Sequence, residues 1–92
     1  MTLRLRWTSL ALKDLEDIRD YIRKDKPVAA KKEALKIRKS VEKLSRFPRS
    51  GRLVKTIPSV REVIAGNYHV YYCLRTSQIQ ILRVYHGKIK LL

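Results

Sequence analysis

The chain holds a single cysteine, three glycines and three prolines among its 92 residues. One thiol, Cys73, cannot close an internal disulfide or supply a cysteine-based zinc cluster. So few backbone breakers, beside 45% hydrophobic residues, exclude a disordered or low-complexity chain. No apolar run approaches the roughly eighteen residues that a membrane span requires. A basic-then-apolar leader with a small-residue cleavage site is also missing, so a cytoplasmic location with no membrane partner is expected. At this length a single domain, residues 1–92, is the expectation.

Acid is scarce, and unevenly so. Lys and Arg number 22 against 8 Asp and Glu, a formal charge of +14. Residues 1–47 carry 14 basic and 7 acidic side chains, so most of their acids can pair locally. Residues 48–92 carry 8 basic side chains and one acid, Glu62. That half should attract phosphates or carboxylates, which leaves nucleic acid and acidic protein both open as partners.

What is present reads as α+β. Leu3, Leu5 and Trp7 alternate with Arg4 and Arg6, which predicts a strand over residues 2–7 with Trp7 packed inward. Arg4 and Arg6 then form either a solvated edge or a second basic patch. Thr8 or Ser9 can cap a helix whose face is Ala11, Leu15, Ile18 and Ile22, with Asp20 placed to pair with Lys24. Asp25-Lys26-Pro27 ends it and opens a second helix on Ala30, Ala34, Ile37, Val41 and Leu44. The short link predicts an antiparallel helical hairpin. Pro48 stops the second helix, and residues 49–59 read as an exposed basic connection. Three strands follow, at Val60–Ala65, Tyr68–Leu74 and 78–85, with Gly66-Asn67 as a tight hairpin turn. In the last strand Ile79 and Ile81 point one way and Leu82 and Val84 the other, which implies a central position or a bulge. The order is β-α-α-β-β-β, with the hairpin on one face of a small, mostly antiparallel sheet.

The ordered set Trp7-Thr8, Ala11, Asp14-Leu15, Ile18, Tyr21-Ile22, Ala29-Ala30, Ile37, Leu44, Pro48, Gly51-Arg52, Arg61-Glu62, Tyr68, Val70, Tyr72, Ile81-Leu82, Val84 and His86-Gly87 resembles the ParE/RelE toxin superfamily over nearly the whole chain. The resemblance implies the toxin half of a bacterial toxin–antitoxin (plasmid-stabilisation) module. It also implies a cognate antitoxin with an acidic C-terminal segment and a possible toxin–antitoxin hetero-oligomer. RelE-like members are ribosome-dependent mRNA endonucleases; ParE-like members inhibit DNA gyrase. RelE-like nucleases place an arginine after the tyrosine that opens the third strand, where this chain has His69 after Tyr68. They also tend to carry Arg, His or Tyr groups in a tail, whereas here the chain ends in Lys88-Ile89-Lys90-Leu91-Leu92 without a tyrosine. The paired helices, Gly51-Arg52, Arg61-Glu62 and the His86-Gly87-basic ending resemble ParE, which is the branch favoured.

Candidate binding residues, for target or antitoxin, are Arg52, Arg61, Arg83, Tyr85, His86, Lys88 and Lys90. A nuclease would instead draw on Arg61, His69, Arg83 and His86, because transesterification at a 2′-hydroxyl needs a base, an acid and cations on the phosphorane. Each has a plainer reading beside it. Arg61 could be merely solvated, Glu62 a structural partner of a base, and His69 and His86 hydrogen-bonded strand residues. Tyr68 and Tyr72 fit the core better than a base-stacking platform, and Cys73 fits as a small buried side chain. No metal and no cofactor are implied. A small basic nucleic-acid-binding module is the remaining alternative, although no motif for one is present.

Overall fold

The computed structural model describes residues 3–24 and 26–87. Its elements are β1 (Arg4–Trp7), α1 (Ser9–Arg23), α2 (Pro27–Leu44), β2 (Arg52–Leu53), β3 (Val60–Ala65), β4 (Tyr68–Leu74) and β5 (Gln78–His86). They form one five-stranded sheet in the order β1-β5-β4-β3-β2, with β1 parallel to β5 and the other pairs antiparallel.

Thr8 is the α1 cap, its Oγ1 accepting from the Ala11 N–H at 3.2 Å. Ala11 and Leu15 are buried, and Ile18 and Ile22 pack partly against the same core. On α2 all five residues of the apolar stripe, Ala30, Ala34, Ile37, Val41 and Leu44, are buried. Pro27 occupies the first turn, where its missing N–H costs no helical bond. Tyr68, Val70, Tyr72, Ile79, Ile81 and Val84 complete the core from the sheet. Full burial of side chains such as Ile37 and Ile81 is worth roughly 1.5–3 kcal/mol each.

The structure departs from expectation in three places. Asp20 pairs with Arg23 at 2.7 Å, one residue short of Lys24, because i,i+3 neighbours also share a helix face. The connection over residues 49–59 is not wholly exposed: Gly51 is buried, and β2 adds a fifth strand against β3, with Arg52 opposite Glu62. In β5 both sequence readings hold at once. The strand is central, and a register shift between Tyr71 and Tyr72 leaves Tyr71 opposite Arg83 and Tyr72 opposite Ile81. Leu82 is the extra residue, so Val84 returns to the face of Ile79 and Ile81 rather than pointing away.

Two devices fix the ends of the sheet. Gly66 has φ +61°, the left-handed geometry that the first central position of a type II′ hairpin turn requires. At Gly51, an added Cβ would lie 2.5 Å from the Tyr72 hydroxyl and 2.7 Å from the Glu62 carbonyl oxygen, so only glycine fits.

Candidate functional site

Strand alternation sorts the polar side chains onto two surfaces. Val70 and Tyr72 face the helices, so Tyr71 and His69 face away. Register then lines up one row across four strands, with Arg52 opposite Glu62, Glu62 opposite Tyr71 and Tyr71 opposite Arg83. The adjoining row is Ile64, His69 and Tyr85.

Glu62 is the hub of this outer face. His69 Nδ1 lies 2.7 Å from its Oε2, and Arg52 Nη2 lies 3.4 Å from its Oε1. Burial raises the carboxyl's pKa, but hydrogen bonds from His69 and Tyr71, with the charge of His69 and the Arg52 bond, outweigh it and hold the group below its ordinary value. The rings form a band: His69 stacks on Tyr71 with centroids 6.5 Å apart, and Tyr71 meets Tyr85 edge-on at 6.0 Å. A shallow cavity of about 370 Å³ opens beside them, bounded by Arg52, Lys55 and His69.

The remaining candidates are committed elsewhere. Arg83 extends to α1, where Nε and Nη2 donate to the two carboxylate oxygens of Asp14 at 2.8 and 3.0 Å. Hydrogen bonding to Asp14 outweighs desolvation and raises the Arg83 pKa. The guanidinium also lies 4.7 Å from the Tyr85 ring centre. Arg61 lies on the helix side of β3 and donates to the carbonyl oxygens of Gly51 at 2.7 Å and Arg49 at 3.4 Å. It therefore braces the turn after Pro48. His86 is opposite Tyr68 and meets its ring edge-on at 5.5 Å, on the helix side of the sheet. There it borders a groove of about 710 Å³ between α1 and the ends of β4 and β5, whose walls include Ile18, Tyr21, Ile22, Tyr68 and Val84. Lys88 and Lys90 lie outside the described residues.

The structure thus brings Arg52, His69, Glu62 and Tyr85 onto one face and sets Arg61 and His86 on the other. Asp14 and Tyr71 were not among the candidates. Asp14 carried a signal, an acid within the apolar stripe of Ala11, Leu15 and Ile18; Tyr71 carried none, because its role depends on which strand lies beside it. Glu62 does not stand alone against its half's charge, since Asp14 neutralises Arg83 from the other half. Among the described residues no group of three His, Cys, Asp or Glu is placed to hold a metal, and no helix is long and apolar enough to cross a membrane.

Comparison with known proteins places this geometry in a family. In solved structures the chain is similar to a toxin–antitoxin complex, the chromosomal ParDE system from P. aeruginosa, at TM-score 0.82 and 27% identity, covering 92% of this chain and 96% of that one. The RelBE2 complex from Mycobacterium tuberculosis shares the fold at TM-score 0.70 and 22% identity, covering 94% of this chain and 92% of that one. Toxin RelE2 of Caulobacter vibrioides is 36% identical over 82 residues, 88% of this chain and 91% of that protein. A putative toxin of Sinorhizobium fredii is 38% identical over 85 residues, 91% of this chain and 88% of that protein. Residues 5–91 match the family described as ParE toxin of type II toxin-antitoxin system, parDE, and the chain belongs to that family of toxins.

Proposed function

We propose that this toxin acts as ParE-like members do, by binding DNA gyrase and blocking it, rather than by cutting mRNA on the ribosome, and that it works in the cytoplasm. The observation that carries this reading is the dispersal of the four groups a nuclease would need. His69 has its Nδ1 on Glu62, 2.7 Å from Oε2. His86 lies across the sheet from it, Arg61 is bound to backbone carbonyls, and Arg83 is paired with Asp14. Arg61, His69, Arg83 and His86 therefore do not converge on one phosphate, as the general base, acid and cations of a nuclease must. On this reading the chain is a binding protein and not an enzyme.

Its resting partner is a cognate antitoxin, in keeping with the complexes formed by the structural relatives. The groove between α1 and β5 suits a partly apolar segment that is disordered alone and orders as it buries Ile18, Ile22 and Val84. Arg52, Lys55, Lys88 and Lys90 would take its acidic residues, and Tyr85 and His86 line the groove itself.

The deciding experiment sets two assays side by side. Purified toxin should inhibit gyrase supercoiling and accumulate the DNA-cleavage complex, while translated mRNA in a ribosome-dependent assay stays intact. His69→Ala and His86→Ala should keep gyrase inhibition within about threefold. Codon-register cleavage of mRNA that either substitution abolishes would overturn the proposal.

A further inference from the structure

We propose that the outward face of α2 is a binding surface for the phosphate backbone of duplex DNA, separate from the sheet face and groove described above. α2 carries six basic residues, Lys31, Lys32, Lys36, Arg38, Lys39 and Lys43, against two acids, Glu33 and Glu42. Among the described residues only one ion pair involves them, Lys36 with Glu33 at 3.6 Å, its lysine end exposed and its carboxylate end half-buried. Such a pair is worth little.

Four of these lysines, 32, 36, 39 and 43, fall at i, i+4, i+7 and i+11, an arc of about 60° on a helix turning roughly 100° per residue. All four are exposed. The buried stripe from Ala30 to Leu44 occupies the opposite side, so the lysines point straight away from the core. Glu33 and Glu42 fall about 90° to either side of the lysine row's centre. Both acids flank the row and neither interrupts it. The lysine row runs about 16 Å at 1.5 Å per residue, the axial rise of four to five phosphates on one strand.

Composition selects the partner. The row is all lysine, a point charge on a flexible stem that suits sequence-independent phosphate contacts, with no arginine forks for bidentate carboxylate recognition. Exposed Val28 and Leu35 border the row, but lysine, which makes up the row itself, is depleted from the cores of protein–protein interfaces. Phosphate contacts, by contrast, need only charge at the right spacing. Of the arginines named above as binding candidates, Arg61 is held by backbone, Arg83 by Asp14 and Arg52 by Glu62.

The test uses purified full-length toxin and a duplex of arbitrary sequence about 20 base pairs long, without gyrase, so its outcome is independent of the gyrase reading. Binding is followed by fluorescence anisotropy across a salt series. The variant Lys32→Glu/Lys39→Glu/Lys43→Glu is compared with Arg4→Glu/Arg6→Glu/Arg75→Glu, which removes the same charge from other exposed positions; circular dichroism checks that both are folded. The α2 variant should lose about tenfold or more in affinity at low salt, and its slope of log K on log salt should fall by about 2–3, while the control keeps most of both. Equal losses in the two variants would reduce the effect to net charge and overturn the proposal, as would unaltered binding by the α2 variant. Loss of antitoxin binding by the α2 variant with DNA binding intact would assign the face to protein and overturn it too.

Discussion

Tyr72 shows how one side chain can hold a turn to a sheet. Its hydroxyl donates to the Pro48 carbonyl at 2.7 Å and accepts from the Gly51 N–H at 3.0 Å, with the ring fully buried. Burial raises the phenol's pKa, against the lowering effects of the Gly51 N–H and Arg61, so the group stays neutral and can serve both roles. Tyr72→Phe strands two backbone groups and should cost about 1–3 kcal/mol in urea unfolding. Gly51→Ala should cost more, because its Cβ meets the hydroxyl at 2.5 Å and the Glu62 carbonyl at 2.7 Å and can yield to neither. An alanine variant as stable as wild type would show that the turn repacks. Glu62 gives a pH prediction. Its pKa in the folded chain lies below the ordinary 4.5, so its contribution to stability is complete above that pH and is lost as pH falls through the folded value. Wild type should therefore melt higher than Glu62→Gln near neutral pH, and the gap should close as the buffer is taken below 4.5.

At the scale of elements, β5 poses the problem that the rest of the sheet must solve. β1 pairs with it only from Gln78 to Ile81 and then turns away into α1, leaving the second half of that edge unpaired by strand. Residues of the departing chain cover it. Thr8 donates its hydroxyl to the Ile81 carbonyl at 2.8 Å, and Asp14 accepts from the Val84 N–H at 2.9 Å while holding Arg83. Asp14→Ala should thus remove more stability than Arg83→Met, since it leaves both an edge N–H and a guanidinium without their acceptor, a loss of about 2–4 kcal/mol against roughly 1. A double-mutant cycle in thermal unfolding measures the difference, and equal losses would refute the edge role. This element also marks where the sequence was legible. The helices were, because periods of 3 and 4 name their buried faces directly, and β3 and β4 were, because alternation and Gly66-Asn67 bound them. β2 was not: two exposed residues carry no period, and only their pairing with Glu62 and Arg61 makes them a strand. Nor was the site. His69 and Arg83 were legible as chemistry, but their partners Glu62 and Asp14 come from other strands and helices, 7 and 69 residues away.

The whole molecule carries +14, and the fold does not spread it evenly. The sequence divided the charge into a locally balanced first half and an unopposed second half; the structure keeps local pairs in the first half but also leaves the α2 lysines largely unopposed. Arg52, Arg61 and Arg83 of the second half each have a partner, whereas α2 presents lysines whose neighbouring acids sit to the sides. Like charges on a chain this small repel one another, and the folded state brings them closer than the unfolded chain does. Added salt screens that repulsion, since the Debye length falls from about 30 Å at 0.01 M to about 10 Å at 0.1 M. The melting temperature should accordingly rise by several degrees between those salt concentrations. Changing Lys32, Lys39 and Lys43 to Glu takes the charge from +14 to +8 on a face that touches nothing in the core. That variant should start from a higher melting temperature at low salt and gain less as salt is added. If its salt dependence matches wild type, the repulsion lies elsewhere and the α2 face is not the centre of the molecule's positive field.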